Sequence, residues 1–317
     1  METGRTHFTR FLKGEPVSRP AFVPLTWGVL VRVGGKPLEE LTLDPTLWAN
    51  SLQKTVELFG LDGVVAGFNF SLMAEACGCE SSWENDRPVT LLPPAKVCQI
   101  PEESRRMKHA LEVAKRVFQV CRHERACVAA LTGPVTLATQ LFGQEQSAEH
   151  IGEIKQLAVR VTEAFCQIRP DVLLFMEERP LASTEINLTH RRLYNTLKNI
   201  LAYYNIPIGL YLQGYRLQNL DRFSKLKMDF YILGPSLDSG MPALSDLWNL
   251  GYGALGVGIS LPLDNLEKVR EIIKQVLDFY QTKGGMGFFF TSHGPVNRDI
   301  DLDILHQVTR EIHQLRL

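Results

Sequence analysis

The sequence has almost no charge asymmetry: 34 lysines and arginines stand against 35 aspartates and glutamates in 317 residues. That balance removes the basic excess of a nucleic-acid binder and the acidic excess of a disordered chain. No run of 18 apolar residues occurs, so no segment reads as a membrane span. The opening residues "METGRTHFTRFLKGEP" are polar and lack the apolar stretch of a secretory signal. The cysteines, Cys77, Cys79, Cys98, Cys121, Cys127 and Cys166, form no Cys-x-x-Cys pair. In a long chain without a signal they read as reduced thiols of a cytoplasmic protein. Cys77 and Cys79 have no second Cys/His pair at zinc-finger spacing to complete a metal site. No Gly-x-Gly-x-x-Gly fingerprint follows the first apolar segment, which lowers the standing of an open dinucleotide-binding sheet. No Ser-His-Asp order with a nucleophile elbow is present.

What is present is regular alternation. Eight short apolar runs read as strands: 21–27, 62–68, 126–133, 171–178, 206–214, 229–235, 252–260 and 286–294. Helical patterns follow them, at 44–60, 101–121, 147–168, 189–205, 219–227, 241–251, 264–285 and 301–317. Asp44, Pro45 and Gly60 suit an N-cap, a first helical position and a C-terminal stop, and Ser147 suits the cap of 147–168. Near-continuous apolar strands imply burial on both faces, as in a parallel sheet wrapped by helices. Eight such units predict an α/β fold, a TIM (β/α)8 barrel, as a single domain over 1–317 with an N-terminal helical extension. The longest irregular stretch, 69–100, is expected to lie over the barrel mouth.

In this fold chemistry belongs at the C-terminal strand ends. There the sequence places Trp27, Asn69, Thr132, Glu177, Glu178, Tyr211, Gln213, Ser236, Asp238, Ser260, Thr291, Ser292 and His293. Adjacent strand residues point to opposite sides, so only one of Glu177 and Glu178 can face the axis. That carboxylate suits a general base or a metal ligand; the plainer reading is an ion pair with Arg179 that fixes the loop. His293 can donate, accept or bind metal, and Gly294 after it permits close approach of a ligand. Asn69 and Gln213 can position a substrate but cannot ionise. The Gly133-Pro134-Val135-Thr136 turn opens a helix whose N-terminus can hold an anion, or is simply a strand–helix turn. Phe288, Phe289 and Phe290 read as core.

Several stretches resemble the uroporphyrinogen decarboxylase superfamily. They are "FTRFLKGEPVSRPAFVP" (8–24), "LDGVVAGFNFSLMAEACGCE" (61–80), "ALTGPVTLATQLFG" (130–143) and "GFFFTSHGPV" (287–296). The resemblance implies a TIM barrel with one of two activities: tetrapyrrole decarboxylation without a cofactor, or cobalamin-linked methyl transfer. The decarboxylases' paired-arginine loop matches "LTWGVLVRVGGKP" (25–37), where Arg32 and Lys36 occur without the pattern. Their central aspartate falls at Asn69 and their tyrosine at Gln140, while His293 is retained. The thiol-methylating members' zinc-binding His-x-Cys falls at Tyr211 and Gln213, neither a plausible zinc ligand.

The resemblance therefore implies a zinc-free, methyltransferase-like enzyme on a small methylated substrate. Its catalytic candidates are His293, Glu177 and Glu178. Trp27, Asn69, Gln140, Tyr211, Gln213 and Asp238 are its substrate-binding candidates. No metal or tightly bound cofactor is expected, and a corrinoid (cobalamin), if used, is carried by a partner protein. The alternatives are a divergent tetrapyrrole decarboxylase and a non-catalytic barrel that binds a corrinoid or tetrapyrrole.

Overall fold

The computed structural model describes residues 2–67, 71–84, 86–178, 181, 185–238, 242–251, 254–283 and 286–317. Nine strands occur among them: β1 (Gly63–Ala66), β2 (Glu80–Glu84), β3 (Arg87–Leu92), β4 (Ala126–Thr132), β5 (Val172–Glu177), β6 (Ile208–Leu212), β7 (Phe230–Leu233), β8 (Gly256–Leu261) and β9 (Gly287–Ser292). Seven form one sheet in the order β1-β4-β5-β6-β7-β8-β9. Every pair in it is parallel, and helices supply the crossovers. The sheet is curled, α/β and TIM-like.

The first expected strand, 21–27, lies between the two sheet edges but forms no ladder. Phe22 makes a single bridge to Phe290. Val23 N–H donates to Phe290 O at 2.9 Å, and Asp62 N–H donates to Phe22 O at 3.1 Å. Pro20 and Pro24 explain the sparse pairing, since neither has an N–H to donate. Side chains make up the difference. The Thr291 hydroxyl donates to Val23 O, and Ser292 Oγ accepts from Leu25 N–H. Asp62 accepts from Phe22 N–H and from two Arg19 nitrogens at 2.7 Å.

Alternation along the strands builds two cores. Leu173, Phe175, Leu210 and Phe290 point outward to the helices. Val172, Leu174, Met176, Tyr211 and Phe289 point inward with Val128 and Ile232. Phe289 alone of the phenylalanine triple therefore enters the barrel. Phe230 also fits inside because Gly209 has no side chain: a Cβ there would lie 2.2 Å from the Phe230 ring.

The N-terminal segment forms a helix that packs under the barrel as its floor. Helix Gly4–Phe11, capped by Thr3, carries Phe8 and Phe11 against Phe289, each with ring centroids 5.0 Å away. Three other expectations are corrected. The stretch 69–100 holds a short helix, Leu72–Ala76, and the antiparallel hairpin β2–β3. Strand Glu80–Glu84 is mostly polar and Arg87–Leu92 has no regular period of two, so apolar alternation did not mark the hairpin. Ser147 ends helix Pro134–Gln146, and the next helix starts at Ile151. Residues 217–226 form a 3-10 helix. By contrast, Asp44 caps helix Pro45–Phe59 through Thr46 and Leu47, and Gly60 ends it with φ 65°. No helix among the described residues is long and apolar enough to cross a membrane.

Candidate active site

The two adjacent glutamates are sorted by the pleat of β5. Odd residues of β5 face the helices and even ones the barrel axis, so Glu177 points out and Glu178 points in. Glu177 is fully buried. Its Oε1 accepts from Val135 N–H at 2.9 Å and from the Tyr194 hydroxyl. Its Oε2 accepts from Thr136 N–H at 2.9 Å and the Thr136 hydroxyl at 2.6 Å. The first turn of helix Pro134–Gln146 thus does hold an anion, and the anion is the chain's own Glu177. Burial pushes this carboxyl's pKa up, and the donors from Thr136, Tyr194 and Val135 pull against it. All four lone-pair directions are occupied inside the wall, which makes Glu177 a clamp between β5 and that helix rather than a group for substrate. Thr136 Oγ1 also accepts from Glu178 N–H at 2.9 Å, so the clamp fixes the backbone of the inward glutamate.

Glu178 is half-buried at the mouth and accepts from Gln213 Nε2 at 2.7 Å. Burial raises its pKa, and the Gln213 hydrogen bond opposes that only in part. Tyr211 lies on the same inward face of β6 as Gln213. Its buried hydroxyl reaches toward the mouth over Gly234, where a Cβ would lie 2.1 Å away. The hydroxyl feels the Gly294 amide and the Glu178 charge but makes no hydrogen bond of regular geometry. Burial pushes the phenol's pKa well up, so it stays neutral.

His293 follows β9, its N–H bonded to Leu261 O at 2.8 Å. Its Nδ1 is buried without a hydrogen-bond partner. Burial, helped by Lys268 and opposed by Asp264, lowers its pKa, so the ring is neutral at neutral pH. The ring lines a cavity of about 690 Å³ with Ser236, Lys268 and Gly294. Gly294 has φ 90°, a conformation that favours glycine. Across the barrel Thr132 Oγ1 is also buried and unpartnered. Trp27 packs edge-on to Trp48 beside Val65 and Pro295, an aromatic wall of the mouth.

The other candidates are placed differently. Asp238 is exposed, accepts from Leu217 N–H at 2.7 Å and pairs with Arg216, so it caps a surface turn. Gln140 is half-buried on helix Pro134–Gln146 beside Cys79. Asn69 and Arg179 lie outside the described residues. Thr291, Ser292 and Ser260 spend their hydroxyls on barrel closure and the β7 backbone. Sequence reasoning missed Tyr194, and it named the turn at Thr136 without its anion: both residues sit on helices and meet Glu177 only through tertiary packing.

A zinc site at the end of β6 does not fit these residues. The β6 end offers an amide and a phenol of raised pKa, and burial lifts the Cys77 and Cys79 thiols to about 12 and about 11. Among the described residues no group of three or more His, Cys, Asp and Glu is arranged to hold a metal ion.

No curated protein sequence matches the chain. A methyltransferase from Methanosarcina mazei shares the fold with a TM-score of 0.78, covering 99% of this chain and 100% of its own at 19% identity. The uroporphyrinogen decarboxylase (URO-D) family model matches residues 3–168, more than half of the sequence. The chain belongs to the uroporphyrinogen decarboxylase family.

Proposed function

We propose that the chain is a methyltransferase-type enzyme that acts on a small, uncharged methylated substrate in the barrel mouth. The observation that carries this reading is Glu178, a half-buried inward carboxyl of raised pKa held by Gln213, whose charge reaches the buried Tyr211 phenol. A carboxyl whose pKa burial raises holds its proton to higher pH than a free one, which suits it to act as a general acid. When a methyl group leaves, the bonding electron pair stays on the heteroatom that bore it, and Glu178 supplies the proton that neutralises it. Neutral His293 and the Tyr211 hydroxyl orient that heteroatom. Trp27, Met176 and Val65 exclude water from the apolar part of the substrate.

A corrinoid carried by a partner protein would supply the methyl acceptor at the rim. The shared fold with a methyltransferase and the membership of the family support the reading. So does the scarcity of cations: the inward strand-end positions among the described residues carry no lysine or arginine, and Lys268 is the one cation lining the His293 cavity. A tetrapyrrole with many carboxylates needs several, and Arg32 and Lys36 are engaged with Ile300 O and Glu40. Divergent decarboxylation, favoured by the retained His293, is the second reading.

The test incubates the protein with reduced free cobalamin and a panel of neutral methyl ethers and thioethers. Methyl transfer is followed by the cobalamin absorbance. Glu178→Gln is expected to slow the best donor by about 100-fold or more, the usual worth of a general acid. Undiminished activity in that variant overturns the acid role, and carbon dioxide release from uroporphyrinogen selects the second reading.

A further inference from the structure

At the end of the barrel opposite the mouth lies a groove of about 930 Å³. Its walls are the floor helix and the turns that lead into β4, β5 and β6. Four cations line it, Arg5, Lys13, Arg122 and Arg169, against one carboxylate, Asp171. Asp171 is spent inside the fold. It accepts from Arg5 Nη2 at 2.7 Å, from Arg5 Nε at 3.1 Å and from Cys127 N–H at 2.9 Å. The whole chain has a net charge of −1, so the positive surplus here is local.

The groove is also braced. Arg122 Nη2 donates to Ile168 O at 3.1 Å and to Arg169 O at 2.7 Å, which fixes its guanidinium in the wall. Lys13 and Arg169 are exposed. Arg169 takes a left-handed backbone (φ 55°), which a residue with a Cβ rarely adopts. Tyr203 is 81% exposed, the most exposed large apolar side chain among the described residues. Tyr204 supports it edge-on, with centroids 5.2 Å apart, and is itself held by a hydrogen bond from Gln167. An exposed aromatic face thus stands beside a pocket of unneutralised charge. The concavity has the size of a small-molecule site rather than of a flat protein interface.

We propose that this groove binds a nucleoside polyphosphate. The phosphates lie among Lys13, Arg169 and the free edges of Arg5 and Arg122, whose guanidinium groups suit phosphate oxygens. The base lies on Tyr203, where stacking tolerates any planar ring. This site is separate from the mouth and does not depend on what reacts there.

Calorimetric titration of the full chain with adenosine triphosphate, pyrophosphate and adenosine tests it. The triphosphate is expected to bind saturably at one site, pyrophosphate more weakly and adenosine not at all. The double variant Lys13→Glu/Arg169→Glu is expected to lose roughly tenfold or more in triphosphate affinity, as loss of charge-assisted hydrogen bonds implies. Tyr203→Ala is expected to weaken the triphosphate and leave pyrophosphate unchanged. An unchanged melting temperature confirms that both variants fold. Absence of saturable triphosphate binding, or binding that survives the double charge reversal or Tyr203→Ala, overturns the proposal.

Discussion

Glu177→Gln isolates the buried clamp beneath the mouth. The wild-type carboxylate accepts from Val135 N–H, Thr136 N–H, the Thr136 hydroxyl and the Tyr194 hydroxyl. Glutamine keeps one accepting oxygen and turns an NH2 toward the other pair of donors. Either hydroxyl can rotate to accept from that NH2, but a backbone N–H cannot. One buried N–H, of Val135 or Thr136, is therefore orphaned whichever way the amide turns. An orphaned buried donor costs about 1–3 kcal/mol, and each remaining bond loses the extra strength of a charged acceptor. Removing a buried charge works in the other direction. A net loss of about 2–4 kcal/mol is expected, read from urea unfolding followed by circular dichroism. Tyr194→Phe should cost about 1.5–3 kcal/mol, and the pair should couple rather than add. Gly133→Ala attacks the same clamp from the other side, since its Cβ would lie 2.1 Å from the Glu177 carboxyl carbon. If Glu177→Gln unfolds within about 0.5 kcal/mol of wild type, or the two substitutions simply add, the clamp is not a coupled unit.

The tie at the barrel's closing segment predicts acid sensitivity. Burial alone would raise the Asp62 pKa, but the Arg19 and His313 hydrogen bonds hold it well below the usual carboxylate range. Its contribution is therefore complete above the unfolded value of about 3.9 and is lost as pH falls through the folded one, so Asp62→Asn should flatten the acid limb of stability against pH. Gly209→Ala drives a methyl group into the Phe230 ring and should cost about 1–3 kcal/mol, with Phe230→Leu restoring part of it in thermal melts. Tyr211→Phe removes a hydroxyl that no protein group satisfies, so the melting temperature should hold or rise while methyl transfer slows; a stability loss with activity intact would assign that hydroxyl to the fold.

The alternation of apolar runs and helical patterns was enough to read a parallel, TIM-like α/β sheet, because strands buried on both faces need unbroken apolar residues; the eighth expected strand, 21–27, makes only a bridge. Capping was legible for one helix, where Asp44, Pro45 and Gly60 act within one turn of their own positions, and misread at Ser147, which ends a helix instead of starting one. The hairpin β2–β3 was not legible, because β2 is mostly polar, β3 lacks regular apolar alternation, and their pairing is set by each other rather than by a core face. The pair Glu177–Glu178 shows the boundary most sharply. Sequence dictates that adjacent strand residues face opposite ways, yet not which one faces the axis. That phase was decided when β5 paired with β4 and β6 and Glu177 met Tyr194 and the helix turn at Thr136, partners far away along the chain. The fate of Asp238 was settled the same way, by a surface turn whose amide needed an acceptor.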